Sequence, residues 1–324
     1  MKESVTTVAV SPQAPPQEHK LPLIRRKREI NSIKTPTEIA LHLFFLLFSA
    51  ACVFPVLVVL GVSLTDQDTI YLYGYNVIPR VFSWSAYAYL LRDIGPIIDA
   101  YLVSIFVTVF GTIVALMITA LVAYPLSRRD FSFRSFFSFF FFFTMIFGGG
   151  LVPWYLVYTN FIDLRDSIWG LIVPNHLLSA FYVIIMRTFF TSSIHPSILE
   201  SAKIDGAGEI RIFTRIVLPL SLPVLATIGL FYTLSYWNDW FNSLVFMNSD
   251  KLISIQYLMY KAMRNLQYLN TIAAVSGFGD QTAKLPSETA RMAMAIIGMG
   301  PIVLAYPFFQ KYFVKGLTVG AVKG

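Results

Sequence analysis

The 324-residue chain is 56% hydrophobic and 13% charged, with 29 Phe, against roughly 45–50% apolar and 25% charged in soluble domains. No single water-soluble core hides that much apolar surface, so the missing apolar phase is lipid and an all-α polytopic membrane protein is expected. Cys52 is alone, which excludes an intrachain disulfide framework or thiolate metal cluster, and the net charge of +7 comes from basic residues flanking apolar stretches, not from a stripe suited to nucleic acid.

Residues 1–38 are polar and basic, with Pro12, Pro15, Pro16 and Pro22. They hold too little apolar surface to fold alone and are expected to be a largely disordered tail, not a cleavable signal peptide. Six apolar stretches follow, at 39–64, 98–124, 136–158, 168–190, 220–247 and 292–313. Each is long enough for a helix to cross a hydrocarbon layer of about 30 Å, and none shows the alternation of a strand. Residues 39–97 are thus the first span with its external loop, and 98–324 a core of five spans. Gly148, Gly149 and Gly150 interrupt the Phe-rich third stretch; they predict a kink or a close backbone approach, with packing as the favoured role.

Arg25, Arg26, Lys27, Arg28 and Lys34 precede the first span. By the positive-inside tendency the N-terminus is cytoplasmic, and six spans return the C-terminus to the same side. Arg128, Arg129 and Arg134, then Lys203, Arg211 and Arg215, then Lys311, Lys315 and Lys323 fall inside on this topology. The external segment 248–291 carries Lys251, Lys261, Arg264, Lys284 and Arg291; either a long translocated loop tolerates them, the favoured reading, or they face a partner.

The loop between spans four and five reads as two short helices around a turn. Pro196 suits a first helical position, while Ser197 with Glu200 matches a capping box that starts the helix slightly later. Asp205-Gly206 is a stop, with Gly206 able to take left-handed backbone. The second helix, through Ile210, Ile212, Phe213, Ile216 and Val217, runs into Leu218-Pro219.

Glu200-Ser201-Ala202, three residues, Gly206, nine residues, Ile216, one residue and Leu218-Pro219 resemble the EAA loop of binding-protein-dependent ABC importer permeases, here at 196–219, with Ser201 in place of the usual first Ala. The stretches 123–128, 237–239 and 316–324 resemble the carbohydrate branch, the group of the maltose-importer permeases. Within that branch, 147–153 and 185–190 are most similar to permeases for complex oligosaccharides and polysaccharide fragments of the alginate type. The resemblance implies a six-helix type I importer permease in the bacterial cytoplasmic membrane. Its partners would be a homologous second permease in a heterodimer, a cytoplasmic ATPase dimer and an extracytoplasmic sugar-binding protein. It further implies that Glu200, Ser201, Ala202, Asp205, Gly206 and Ala207 couple the chain to the ATPase, a role that coexists with capping and turning the loop.

No phosphate-binding loop G-x-x-x-x-G-K-[ST] occurs, so no cofactor is expected on this chain and ATP with Mg belongs to the partner. No catalytic set or metal site is expected either. For a sugar path, the fifth span offers Tyr232, Tyr236, Trp237, Asn238 and Asp239, since an acidic residue in a span is a functional candidate. The same aromatics also suit a membrane interface, and Asn238-Asp239 suits helix packing. Asn175 and His176 are weaker candidates. An ion-coupled secondary transporter is the alternative from another class, although the spans supply few ionisable residues for it; a membrane-embedded transferase or hydrolase lacks a convergent catalytic set.

Overall fold

A computed structural model describes residues 35–276, 287–307 and 309–310, and every regular element among them is helical apart from an isolated bridge between Thr65 and Phe82. The tail before residue 35, Lys284 and the stretch from 311 onward lie outside the described residues. By Cα proximity the chain divides between Val53 and Phe54, inside the first helix. That helix, α1 (Thr35–Ser63), carries Pro55. Its large apolar side chains, among them Phe44, Leu46 and Phe48, are exposed, as suits a helix solvated by lipid.

Short helices α2 (Gln67–Tyr73) and α3 (Ser85–Leu90) lead into α4 (Gly95–Ser127). One face of α4 is small: Ala100, Ser104, Thr108, Gly111, Ala115, Thr119 and Ala123 are buried at steps of three or four residues. This stripe lets neighbours approach the backbone closely, which is how helices associate where lipid removes the hydrophobic drive. Against it pack α8 (Ala180–Ser193) and α12 (Leu222–Trp237). The main apolar core is the contact of the three, with Val183, Met186, Ile228 and Tyr232 nearly inaccessible.

Among the described residues three helices are long and apolar enough to cross a membrane, 36–63, 95–127 and 288–307. The expected third span is bent by 117°: α5 (Arg134–Ile146) stops, residues 147–150 are irregular, and α6 (Leu151–Leu156) continues as a π turn, Val157–Phe161. The expected fourth span is also discontinuous, split into α7 (Trp169–Ile172) and α8. Between them Asn175 sits at φ +67°, a left-handed geometry that asparagine tolerates and a helix does not.

The first helix of the expected loop is α9 (Pro196–Ile204), and the second is α10 (Glu209–Ile212) continued by a π turn at Phe213–Val217 and α11 (Leu218–Leu220). This arm meets α12 at an 81° bend. The expected fifth span ends at Trp237, and its last residues form a separate helix, α13 (Phe241–Phe246). The segment expected to be an external loop is helical in part. It holds α14 (Ile255–Ser276), whose Ile255, Met259 and Leu266 bury against Trp237 and α15 (Ser287–Met299). Its charges are partly paired within the chain, Lys261 with Asp250 at 2.6 Å and Arg291 with Glu288 at 3.3 Å.

Candidate functional site

The helix α9 starts at Pro196, as its fixed φ favours. The cap is His195 and not Ser197: the His195 ring nitrogen Nδ1 accepts from the Ser197 N–H at 3.4 Å and sits 2.8 Å from the Ser197 hydroxyl. The helix ends in a double-bonded turn. The Ala207 N–H donates to the Ala202 carbonyl at 2.9 Å and the Gly206 N–H to the Lys203 carbonyl at 3.0 Å, with Gly206 at φ +79°, which together make a Schellman motif. Asp205 is the C-cap. Ala202 is buried, Ala207 half-buried, and Glu200, Ser201, Asp205 and Gly206 are exposed. On either side of the turn Ile204 is 86% and Ile210 82% exposed.

Four charged groups lash this loop to the end of α4. Arg128 holds Asp130 through two bonds, Nε to Oδ1 at 3.0 Å and Nη2 to Oδ2 at 2.8 Å. Lys203 bridges Asp130 at 3.2 Å and Glu209 at 2.9 Å, and the Tyr124 hydroxyl donates to Glu209 Oε2 at 2.7 Å. The Arg128 guanidinium holds the Asp130 carboxyl far below the usual carboxylate range, although partial desolvation opposes it. Lys203 is held above the ordinary lysine value, first by Glu209 and then by Asp130. Arg187 of α8 adds a further tie, its Nε donating to the Leu126 carbonyl at 3.1 Å and so satisfying one of the free carbonyls at the end of α4.

The residues expected along a sugar path separate into two groups. Tyr232, Tyr236 and Trp237 are buried and bonded within the chain. The Tyr232 hydroxyl lies 2.7 Å from Thr119 Oγ1, Tyr236 donates to the Ile172 carbonyl at 2.9 Å, and Trp237 Nε1 donates to the Gly298 carbonyl at 3.1 Å. Asn238 is exposed and donates back to the Leu234 carbonyl at 2.9 Å. Asp239 is half-buried: Oδ1 accepts from the Phe241 and Asn242 N–H groups at 3.0 and 3.1 Å, capping α13, while Oδ2 lies 3.1 Å from His176 Nε2. Asn175 instead lines an open trough with Gly148, Gly149, Gly150, Trp154 and Phe241.

Residues 35–319 match the family model for the inner membrane component of binding-protein-dependent transport systems. The chain belongs to this family. It is 40% identical over 282 residues, 87% of this chain and 96% of the relative, to the polygalacturonan/rhamnogalacturonan transport system permease protein YtcP of Bacillus subtilis (strain 168). The arabinooligosaccharides transport system permease protein AraQ of the same organism is 27% identical over 294 residues, 88% of this chain and 96% of the relative. The crystal structure of a bacterial ABC transporter involved in the import of the acidic polysaccharide alginate superposes with a TM-score of 0.71 at 28% identity, covering 86% of this chain and 96% of that one. The protein is therefore a multi-pass inner-membrane permease of the type I importer fold, a transport subunit whose family works with an ATPase and a substrate-binding protein. This sets aside the ion-coupled alternative.

For an ABC permease, the sequence under-read the anchor of the loop. Beyond orientation and the 123–128 resemblance, Arg128 and Lys203 each pair with an acid that stands close in sequence: Asp130 is two residues from Arg128, and Glu209 six from Lys203. The tie between the two pairs was not visible, because Asp130 and Lys203 are 73 residues apart.

Proposed function

We propose that this chain is one transmembrane subunit of an ATP-driven importer for an oligosaccharide or polysaccharide fragment, and that the 196–219 loop is its point of coupling to a separate ATPase. The observation that carries this reading is the pair Ile204 and Ile210, more than four-fifths exposed on either side of the turn of a loop anchored by charges. Single exposed apolar residues are ordinary. Two isoleucines flanking a rigid turn, on a loop bound by charges to the end of a span, form an apolar knob on a lever. Seated in a groove of the ATPase, that knob transmits closure to α4 through the charged ties, and two packed arrangements of the spans are biased by nucleotide. ATP and Mg are held by the partner, and this chain contributes no group to them.

The relatives' names, polygalacturonan/rhamnogalacturonan and arabinooligosaccharides, and alginate for the solved transporter, support an oligosaccharide or polysaccharide fragment as cargo, with the binding protein setting much of the choice. A heterodimer with a homologous permease, and both termini on the ATPase side, complete the proposal. The tail 1–38 is proposed as a cytoplasmic extension outside the permease core.

The test uses the assembled complex. Ile204→Asp disturbs no buried contact and should leave the permease in the membrane while co-purification of the ATPase falls by about tenfold or more. Gly206→Pro removes the N–H given to Lys203 and the left-handed backbone, and should abolish sugar-stimulated ATP hydrolysis and uptake. Glu200→Lys should uncouple likewise. Wild-type uptake with any of these would refute coupling through this loop.

A further inference from the structure

At 1.5 Å per residue, the 13 residues of α5 carry the chain about 20 Å from Arg134, roughly two thirds of a hydrocarbon layer of about 30 Å. There the helix stops. Gly148, Gly149 and Gly150 are exposed, and their N–H groups have no hydrogen-bond partner among the described residues. Bare peptide groups are costly in hydrocarbon, so irregular backbone persists at such depth only where protein covers it or water reaches it.

The second broken span comes to the same place. Asn175, at the left-handed turn between α7 and α8, is exposed with no side-chain partner among the described residues, and it lines one trough of about 640 Å³ together with the three glycines, Trp154, Tyr158 and Phe241. The rings are held from behind. Trp154 has its centroid 5.1 Å from that of Phe246, which is 1% exposed, and 6.0 Å from that of Phe241.

A pyranose presents apolar C–H faces to flat rings and hydroxyls to hydrogen-bonding groups. This trough supplies both, and its polar part is free, whereas Tyr232, Tyr236 and Trp237 have already committed theirs inside the helix packing. We propose that the two helix breaks, 147–150 and 173–179, form a wall of the sugar's path: Trp154 and Phe241 stack on a ring face, while Asn175 and the glycine N–H groups bond its hydroxyls. This rests on the sugar-permease reading above and moves the contact surface from α12 to the breaks.

The fold permits a clean test, because a Cβ added at Gly148 or Gly149 meets nothing within 4 Å. In the reconstituted complex, Gly149→Leu should lower uptake of a galacturonan oligosaccharide by about tenfold or more, while the ATPase still co-purifies with the permease. Asn175→Ala should raise the sugar concentration needed for half-maximal uptake. Independently of any sugar, Gly149→Cys in a Cys52→Ser background should react with a charged, membrane-impermeant thiol reagent at rates that differ between the nucleotide-free and ATP-vanadate-trapped complex. No reaction, as for a face covered by lipid or by the second permease, overturns the proposal. So do equal rates in both states or normal uptake by Gly149→Leu. Wild-type uptake that is indifferent to an ATP-site mutation in the ATPase would sink the importer reading instead, while the labelling would still decide whether the trough is wet.

Discussion

Two parts of this permease treat space and polarity in opposite ways. Around α4, contacts are closed: a stripe of small residues lets α8 and α12 in, and Arg128, Asp130, Lys203 and Glu209 each find an opposite charge. Around the breaks at 147–150 and 173–179, contacts are open: glycines face empty space and an asparagine amide stands without a partner among the described residues. A machine that moves cargo by rocking rigid parts needs both, a stiff side that receives force and an open side that meets substrate. The difference lies in what the same kinds of residue touch, and two glycines show it. A Cβ on Gly111 would fall 2.7 Å from Tyr236 Cζ, whereas one on Gly149 meets nothing.

The sharpest way to break the comparison is to enlarge both glycines. Tyr236 cannot retreat easily, being buried and bonded to the Ile172 carbonyl. Gly111→Leu should therefore cost about 3 kcal/mol by overpacking, and Gly149→Leu under about 0.5 kcal/mol. Thermal unfolding of the two variants in detergent gives the answer. Equal losses would mean that the trough is packed in the resting protein.

A smaller effect is expected at the charged anchor. Arg128 is the most buried of its four charges, its side chain 13% exposed, and it holds Asp130 through two bonds. Arg128→Met should destabilise the loop's attachment by about 2 kcal/mol, since it leaves Asp130 and Glu209 sharing one lysine. A cycle with Glu209→Gln should show non-additivity of about 0.5 kcal/mol or more. Strict additivity would show that the four charges do not act as a unit.

What could be read from the sequence follows the same division. Helices α1 and α4 were legible because their signals are local, a long apolar run in each, and so was the Gly206 stop. The breaks were half legible. Gly148 to Gly150 were visible as an interruption, but Pro174-Asn175 was absorbed into a span, since hydropathy over about 20 residues averages a short polar turn away. In α14, Ile255, Met259 and Leu266 recur at helical spacing, but the charges interspersed among them give the segment the look of a loop. Whether Tyr236 or Asn175 meets open space depends on which helices pack against α4, a long-range fact that no window of sequence contains. The residues left Asp239 open between a substrate path and packing against neighbouring helices; its bonds to the Phe241 and Asn242 N–H groups are a third, local role.

The smallest expected effect is a pH dependence confined to the closed side. Arg128 and Lys203 hold Asp130 ionised in the folded protein to well below the ordinary carboxylate range, while in the unfolded chain an aspartate titrates near about 3.9. A carboxyl whose folded value is depressed adds stability that is fully present above the unfolded value and is lost as pH falls toward the folded one. The contribution is therefore flat from pH 7 to about pH 5 and declines only below about pH 4. Because the Asp130 side chain is 57% exposed, solvent screening keeps it at or below about 1 kcal/mol. The melting temperature of the wild type should thus exceed that of Asp130→Asn by a constant small margin between pH 7 and pH 5, narrowing below about pH 4. A margin that shrinks already between pH 7 and pH 5 would place the sensitive group elsewhere and detach the loop's stability from the Arg128 contact.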